Sequence, residues 1–392
     1  MVRPIGVFVG RSTALADERR AAARVRRGDA AVACPRAAML PCCRAAVLRR
    51  SEVFNCHNGP VRPELSIAGT TVPEASKVEI AIPVARLPSG SWMTMPLTVV
   101  AGVDPGPVIF CCAAIHGDEV NGVEIIRQVV NRLDPEQMTG TVLAAPVVNV
   151  PGFAGRDRYL PDGRDLNRCF PGRVDGSLAS RFAAAFMTEV VERCDLGLDF
   201  HTGARGRSNL PQIRVAVDDA PSLRLAEIFR PPIIVHSKIR PGSLRGEATR
   251  RGVPHLLFEG GQAGLFDRST VEAGVKGTMN VLGHLGMIPS SPPSGMDEDV
   301  TVCRQSWWVR SPRAGLVRTV VDLGEWVHAK QPLAFVADVF GGDDSAIEAG
   351  RSGVVAGRIE HAVVHAGDAL FHLGAIEPLP AEDDEDPEEP RD

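Results

Sequence analysis

This 392-residue sequence has little lysine, no C-x-x-C cysteine pair and no long apolar run. Four lysines stand against 39 arginines, which indicates a coding bias, so a single arginine carries less functional meaning than usual. None of the nine cysteines forms a C-x-x-C pair, which predicts reduced thiols in a cytoplasmic protein rather than a disulfide framework. No run reaches the roughly 18 apolar residues of a membrane span, so no membrane partner is expected.

Charge is distributed unevenly along the chain. The net charge of −5 argues against a nucleic-acid-binding surface on the body of the protein. The first fifty residues hold eleven arginines and three acids, and we interpret residues 1–60 as a disordered N-terminal extension or non-native upstream sequence, with an organellar transit peptide as the alternative. Residues 381–392 hold eight acids, so 379–392 is predicted to be a disordered acidic tail.

The segment 61–288 shows the periodicities of an α/β domain. Two alternating stretches, 77–87 and 93–102, predict antiparallel strands near a sheet edge, and 151–175 predicts a long loop. Apolar runs typical of buried parallel strands occupy 107–115, 141–150, 196–200 and 253–261. Helical spacing or composition marks 120–133, 177–194, 221–230 and 269–286. We therefore predict a mixed, mostly parallel sheet flanked by helices.

A second, smaller module is predicted near the C-terminus. The stretch P-S-S-P-P-S-G at 289–295 is typical of a linker, which we place at 289–304. Residues 305–378 then carry short strands with turn residues at regular spacing and no helical period. This pattern predicts a small all-β module.

Residues with metal or acid–base chemistry follow three of the apolar runs. His116 follows 107–115, His201 follows 196–200 and Glu259 follows the apolar residues 253–258, while Glu119 follows His116 by three positions. Because ligands bind at the carboxyl ends of strands in open α/β sheets, these side chains are expected to converge on one site.

Two histidines and a carboxylate, with a fourth position open to water, form the catalytic zinc arrangement. A lone H-x-x-E pair arises often by chance, but the repeated placement at strand ends favours His116, Glu119 and His201 as ligands of one zinc ion per chain. Zinc lowers the pKa of bound water to about 7. Glu259 could then take the water's proton and pass it to a leaving nitrogen.

The loop 151–175 offers groups that suit a substrate. Asn167 and Arg168 provide donors for a carboxylate, and Arg158 or Arg164 could polarise a scissile carbonyl. The alternative for Arg158 and Arg164 is a solvated loop arginine in an arginine-rich chain.

Two aspartates are candidates for orienting the histidines. Asp165 could hold His116 as metal-bound histidines usually require, and Asp199 is a weaker candidate two positions before His201.

Four motifs in this order resemble the succinylglutamate desuccinylase/aspartoacylase family of zinc hydrolases. They are H-G-D-E from His116, D-L-N-R from Asp165, D-F-H-T from Asp199 and F-E-G-G from Phe258. The resemblance covers residues 75–378 and implies a fold like that of the zinc carboxypeptidases.

The resemblance also implies roles for the motif residues. His116, Glu119 and His201 would bind zinc, and Glu259 would be the general base. Asn167 and Arg168 would hold the substrate carboxylate. The family's carbonyl-polarising arginine stands in an Arg-Tyr context shortly before D-L-N-R. Arg158 has that context but with a gap about two residues longer, so Arg158 and Arg164 both stay candidates.

The C-terminal segment 315–341 resembles the lipoyl/biotinyl-like barrel found in this family. Lys330 is the one lysine in the module, but its H-A-K-Q-P-L context is not that of an attachment site. We therefore expect the barrel to shield the active site or to form an interface.

Together these features predict a zinc-dependent deacylase that hydrolyses the linear amide of a small N-acyl amino acid or related compound. A carboxypeptidase-type peptidase, an esterase and a non-catalytic zinc- or ligand-binding homologue are the alternatives. The expected partner is a small N-acyl substrate, and a homo-oligomer is possible.

Overall fold

The computed structural model describes residues 65–289, 300–342 and 344–376. The predicted extension at 1–60, most of the linker and the acidic tail lie outside these residues. The described helices are α1 (Asn121–Arg132), α2 (Val150–Gly155), α3 (Leu178–Glu189), α4 (Ala220–Phe229), α5 (Leu244–Arg250) and α6 (Arg268–His284). Short 3-10 helices lie at Pro135–Gln137, Leu166–Arg168 and Val191–Arg193.

Strands β1 to β11 belong to the first 303 residues of the chain. They are β1 (Ser66–Ile67), β2 (Thr70–Thr71), β3 (Ser76–Arg86), β4 (Trp92–Ala101), β5 (Asp104–Ala113), β6 (Thr139–Ala145), β7 (Leu196–Gly203), β8 (Arg207–Val215), β9 (Ile233–His236), β10 (His255–Gln262) and β11 (Thr301–Cys303). The C-terminal strands are β12 (Gln305–Arg310), β13 (Gly315–Thr319), β14 (Trp326–Val327), β15 (Pro332–Ala337), β16 (Ser345–Glu348), β17 (Gly353–Ile359), β18 (Val363–Val364) and β19 (Ala369–Ala375).

One large mixed sheet organises the molecule. Its strand order is β12-β19-β17-β8-β10-β7-β5-β6-β4-β3, with β9 and β11 continuing from β8. The four central strands β10, β7, β5 and β6 run parallel, as the sequence predicts. On both sides of this centre the pairing turns antiparallel, at β8 and at β4. The sheet is therefore mixed, with parallel pairs at its centre, and the C-terminal strands extend it with antiparallel pairs.

Two predicted boundaries need correction, and several elements were not predicted, among them β8, β9 and α5. Strand β6 ends at Ala145 rather than near residue 150, because Pro151 and the Asn149 cap start helix α2 there. Strand β11 lies inside the predicted linker, where it pairs with β9. Strands β8 and β9 and helix α5 lack the long apolar runs that identify the central strands. None of the described helices has the length and apolar character to cross a membrane.

Apolar layers cover both faces of the sheet. Alternate side chains of β5 point to opposite faces, with Phe110 and Cys112 in one core cluster and Ile109, Cys111 and Ala113 in the other. Helix α3 covers the first face, and helices α1, α4 and α6 cover the second. Both faces of the central strands are therefore buried, which is why those strands are mostly apolar apart from the side chains of the candidate site.

The C-terminal segment is all-β, as the sequence predicts. Strands β13, β15, β16 and β18 form a separate four-stranded sheet, whereas β12, β14, β17 and β19 join the large sheet. A core that includes Val317, Leu333, Phe371 and Leu373 lies between them. Strand β17 pairs directly with β8, so the C-terminal strands continue the sheet of the first segment. The likeness to a lipoyl-like barrel stays a prediction.

Candidate active site

His116 lies in the turn that joins β5 to α1. Ala114, just past β5, has φ of +49°, which is left-handed backbone that non-glycine residues rarely adopt. At Gly117 a Cβ atom would collide with the backbone of Gly152, so only glycine lets the turn pack this closely. The turn directs His116 and Glu119 at each other, with Nδ1 2.7 Å from Oε1.

His201 approaches the same point from β7, the strand beside β5. Its Nδ1 lies 2.8 Å from Glu119 Oε2 and 3.3 Å from His116 Nδ1. The backbone N–H of Thr202 donates to Glu119 Oε2 at 3.1 Å. Both imidazoles therefore present Nδ1 to one point, with the Glu119 carboxylate between them.

A second carboxylate stands behind each imidazole. Asp165 Oδ1 lies 3.2 Å from His116 Nε2, and Asp199 Oδ2 lies 3.0 Å from His201 Nε2. An acceptor at Nε2 holds the proton on that nitrogen and leaves the Nδ1 lone pair for a ligand. The structure thus puts both aspartates where the sequence predicts orienting groups.

Electrostatics in this cluster favour charge despite burial. Burial acts to raise the pKa of the Glu119 carboxyl, but His116 and His201 outweigh it and hold the pKa well below its usual range. Burial likewise acts to lower the pKa of His201, but Asp199 and Glu119 raise it well above its usual value. The cluster therefore combines anionic oxygens with imidazoles that attract protons. A bound cation would take the place of those protons.

The donor atoms of His116, Glu119 and His201 all lie within 4.8 Å of one another. Among the residues that the structure describes, this is the one cluster of three or more histidine, cysteine or acidic side chains with such spacing. Two imidazole nitrogens and a carboxylate oxygen suit zinc in donor type and number. The residues present therefore fit a zinc ion.

Glu259 lies on β10, level with His201 on the neighbouring strand β7. Its side chain is buried, and Oε2 accepts a hydrogen bond from Asn209 Nδ2 at 2.9 Å. The guanidinium of Arg214 lies 3.6 Å from the other oxygen, Oε1. A neighbouring cation and an amide donor both stabilise the ionised form of a carboxyl group.

The cluster of His116, Glu119 and His201 and the side chain of Glu259 open onto two adjoining cavities. Both cavities are bordered by His116, Arg158, His201, Arg214 and Glu259. The first also reaches Arg207, Asn209 and Trp308, whereas the second reaches Asn167, Arg168, Arg240 and Arg245.

Comparison with known proteins agrees with this geometry. Residues 105–285 match the model of the succinylglutamate desuccinylase/aspartoacylase catalytic domain. The N-alpha-acetyl-L-2,4-diaminobutyric acid deacetylase of Halomonas elongata is 31% identical in an alignment of 339 residues that covers 81% of this chain and 97% of that protein. This chain belongs to the succinylglutamate desuccinylase/aspartoacylase family.

Solved structures of the family share the fold. The product-bound ectoine utilization protein of Ruegeria pomeroyi is 25% identical with a TM-score of 0.68, covering 80% of this chain and 99% of its own. A succinylglutamate desuccinylase/aspartoacylase of Rhodobacter sphaeroides is 27% identical with a TM-score of 0.68, covering 79% and 99%. The similarity thus spans the catalytic domain and the C-terminal strands, and the family resemblance read from the four motifs is confirmed.

The two candidate arginines occupy different surroundings. Arg158 borders both cavities, with Nη2 3.1 Å from Asp165 Oδ2 and Nη1 3.5 Å from Glu119 Oε1. Arg164 borders neither cavity; its side chain is 54% exposed and pairs with Asp162. A solvated guanidinium outside the cavity cannot polarise a carbonyl within it, so the geometry favours Arg158 and argues against Arg164.

Asn167 and Arg168 both border the second cavity, where the sequence places the substrate carboxylate. Asn167 Oδ1 accepts from the backbone N–H of Leu244 at the start of α5, at 2.9 Å. Arg168 donates to the carbonyl oxygen of Asn167 at 2.8 Å. These contacts fix the two residues beside the histidines.

Several residues that border the cavities were not anticipated, and most lie on β8 or just after β9. Asn209 and Arg214 are five positions apart, so in a regular strand they would face opposite sides of the sheet. A register shift opposite Glu259 and Gly261 places an extra residue in this part of β8. Both side chains therefore reach Glu259. No sequence pattern indicates this β-bulge.

Arg245 borders the second cavity but acts on the backbone. Its guanidinium donates to the carbonyl oxygens of Arg214 at 2.9 Å and Lys238 at 2.6 Å, and to Ser237 Oγ at 3.1 Å. Burial lowers the pKa of Arg245 to about 10. The residue therefore holds the end of β8 against the segment after β9.

Proposed function

We propose that this protein is a zinc-dependent hydrolase that cleaves the amide of a small N-acyl amino acid. The observation that carries the proposal is the convergence of His116, Glu119 and His201 beside Glu259 at the shared wall of two cavities. Zinc, when bound, lowers the pKa of water and acts as a Lewis acid towards a carbonyl oxygen.

The residues of this chain divide the remaining work. Glu259 accepts a proton from the attacking water and returns it to the departing amine nitrogen. The guanidinium of Arg158 lies beside the ligand cluster, where negative charge develops on the acyl oxygen. Asp165 and Asp199 keep the imidazoles oriented through Nε2.

The second cavity supplies the place for the amino acid. Asn167, Arg168 and Arg240 border it, and an arginine binds a carboxylate with two parallel hydrogen bonds. The Halomonas relative is named for the deacetylation of N-alpha-acetyl-L-2,4-diaminobutyric acid. That compound is therefore the first substrate to test, followed by N-acetyl and N-succinyl derivatives of other amino acids.

The test combines metal content with hydrolysis. Elemental analysis of the purified protein is expected to give about one zinc per chain, as a single cluster of this type predicts. His116→Ala and His201→Ala should lose both the metal and the activity, whereas His365→Ala, an exposed histidine outside the site, should keep both.

The same experiment separates the alternatives. Cleavage of peptides longer than three residues would favour a carboxypeptidase-type enzyme, and faster turnover of esters would favour an esterase. Zinc-loaded protein that binds N-acyl amino acids without turnover would support a non-catalytic homologue. Hydrolysis that persists unchanged in His116→Ala, with unchanged zinc, would exclude the proposed mechanism. The cytoplasmic location and the homo-oligomer stay predictions.

A further inference from the structure

Asn209 donates a hydrogen bond to the candidate base, Glu259. Its Nδ2 donates to Glu259 Oε2 at 2.9 Å, and both side chains are buried, with 6% and 7% of their surfaces exposed. A glutamate side chain has three torsions, so a bond to one oxygen fixes the plane of the carboxylate and the direction of the other oxygen. Asn209 is therefore placed to orient Glu259.

The C-terminal strands hold Asn209 from the opposite side. Asn209 lies level with Gly357 on the neighbouring antiparallel strand β17. A Cβ atom at Gly357 would stand 2.8 Å from Asn209 Oδ1, which is closer than real Cβ contacts. The absent side chain at residue 357 is therefore what leaves room for the amide.

A second bond ties β8 to the same strand. Gln212, which lies level with Glu259, donates from Nε2 to the carbonyl oxygen of Ala356 at 3.2 Å. The strand that carries Asn209 is thus anchored to the C-terminal module on both sides of the bulge. The position of Asn209 depends on this module as well as on β10.

We propose that Asn209 is a positioning residue for Glu259 and that Gly357 of the C-terminal module keeps it in place. This inference rests on the proposed function, because it takes Glu259 as the proton acceptor. The C-terminal strands then help to complete the active site, because Gly357 packs against Asn209 and Asn209 holds Glu259. This role is separate from covering the cavity.

The first test compares Asn209→Ala with Ser208→Ala, a neighbouring residue that borders neither cavity. Asn209→Ala should lower kcat about tenfold to a hundredfold, since misplacing a reacting group by about 1 Å has effects of this order. KM should stay within about twofold and zinc content should not change. Ser208→Ala should match the wild-type protein in kcat, KM and zinc content.

A wild-type kcat in Asn209→Ala, or a loss confined to KM, would overturn the positioning role. Glu259→Gln, measured alongside, separates this failure from failure of the proposed function. If Glu259→Gln is as active as the wild-type protein, the base assignment is wrong and the inference falls with it. If Glu259→Gln is inactive and Asn209→Ala is fully active, only the inference fails.

The second test concerns the C-terminal module. Gly357→Ala should lower kcat in the same direction as Asn209→Ala, with zinc retained and the far-UV circular dichroism spectrum unchanged. Gly350→Ala is the matched control, because a Cβ atom there meets nothing within 4 Å. Wild-type kcat in Gly357→Ala would refute the contribution of the module.

Discussion

The two sides of the cavity are built in different ways. The metal-ligand side uses residues of the turn after β5, of β7 and of the loop before α3, and it surrounds two imidazoles with the carboxylates of Glu119, Asp165 and Asp199. The Glu259 side uses β10 and β8, and there a single carboxylate meets an amide and a guanidinium. The first side thus combines several carboxylates with histidines, whereas Glu259 is the one carboxylate of this group on the second side.

This difference supports separate proposed tasks for the two buried glutamates. Glu119 is bridged between two histidines, so both of its oxygens already point at the position for a cation. Glu259 is held by Asn209 at one oxygen and lies close to Arg214 at the other. In the proposed mechanism the carboxylate in the first setting is a metal ligand, and the carboxylate in the second setting exchanges a proton.

Replacing each glutamate by glutamine gives the largest effect and tests the comparison directly. Glu119→Gln removes the anionic donor and should abolish both zinc retention and hydrolysis. Glu259→Gln should retain zinc and lower kcat by about 10²- to 10⁴-fold, the usual contribution of general acid–base catalysis. Metal analysis and steady-state kinetics check both variants. Equal loss of zinc in the two variants would show that the two sides do not differ as proposed.

The sequence predicts the metal-ligand side better than the Glu259 side, for a physical reason. His116 and Glu119 are three residues apart, and His201 follows an apolar strand, so motif spacing and strand ends bring them together. Asn209 and Arg214 reach Glu259 only because an antiparallel strand bulges beside β10. Single-sequence periodicity carries no information on such a register shift.

The same distinction applies to the fold. The buried central strands are apolar on both faces and are recognisable without a structure. Strand β8 carries Asn209, Gln212 and Arg214 into the interior and contains Pro211, so it lacks the pattern of a strand. The sequence therefore does not reveal β8 or the antiparallel pairs that it makes with β10 and β17.

The next effect concerns the two arginines of the loop. Arg158→Ala should lower kcat by about a hundredfold or more, as loss of an oxyanion donor does, while Arg164→Ala should stay near the wild-type value. Arg158 lies 3.5 Å from Glu119 Oε1, whereas Arg164 is largely exposed beside Asp162. Kinetics of both variants on one N-acyl substrate make the comparison. A larger defect in Arg164→Ala would reverse the assignment.

The effect of pH on zinc binding distinguishes the two sides further. The pKa values of His116 and His201 are raised, since burial is outweighed by Glu119 at His116 and by Asp199 and Glu119 at His201. At a pH below these raised pKa values, the two histidines carry protons that zinc must displace. The affinity for zinc should therefore rise with pH, up to about tenfold per pH unit for each proton displaced.

Calorimetric titration of zinc in two buffers with different ionisation enthalpies measures the protons released. About one proton or more should leave per zinc bound near neutral pH. Glu259→Gln should give the same count, because Glu259 is not among the three donors. A count of zero would contradict the raised histidine pKa values, and a changed count in Glu259→Gln would link the two sides.

The smallest expected effect is on zinc affinity and comes from the buried thiol of Cys112, next to Asp199. Cys112 Sγ donates to Asp199 Oδ1 at 3.3 Å, while Asp199 Oδ2 contacts His201. Burial, with Asp199 next in importance, raises the pKa of the Cys112 thiol well above its usual value, so the thiol keeps its proton and stays a donor. A group that holds Asp199, the partner of His201, can tune the affinity for zinc. The effect should be small because a thiol is a weak hydrogen-bond donor.

Cys112→Ala should therefore weaken zinc binding by about tenfold or less, and Cys112→Ser should restore part of the loss. Cys111→Ala is the matched control, because Cys111 is equally buried in the same strand but points into the core on the opposite face of the sheet. Competition with a zinc chelator measures all three affinities. If Cys111→Ala and Cys112→Ala weaken binding equally, the effect comes from loss of packing in β5, and the thiol does not orient Asp199.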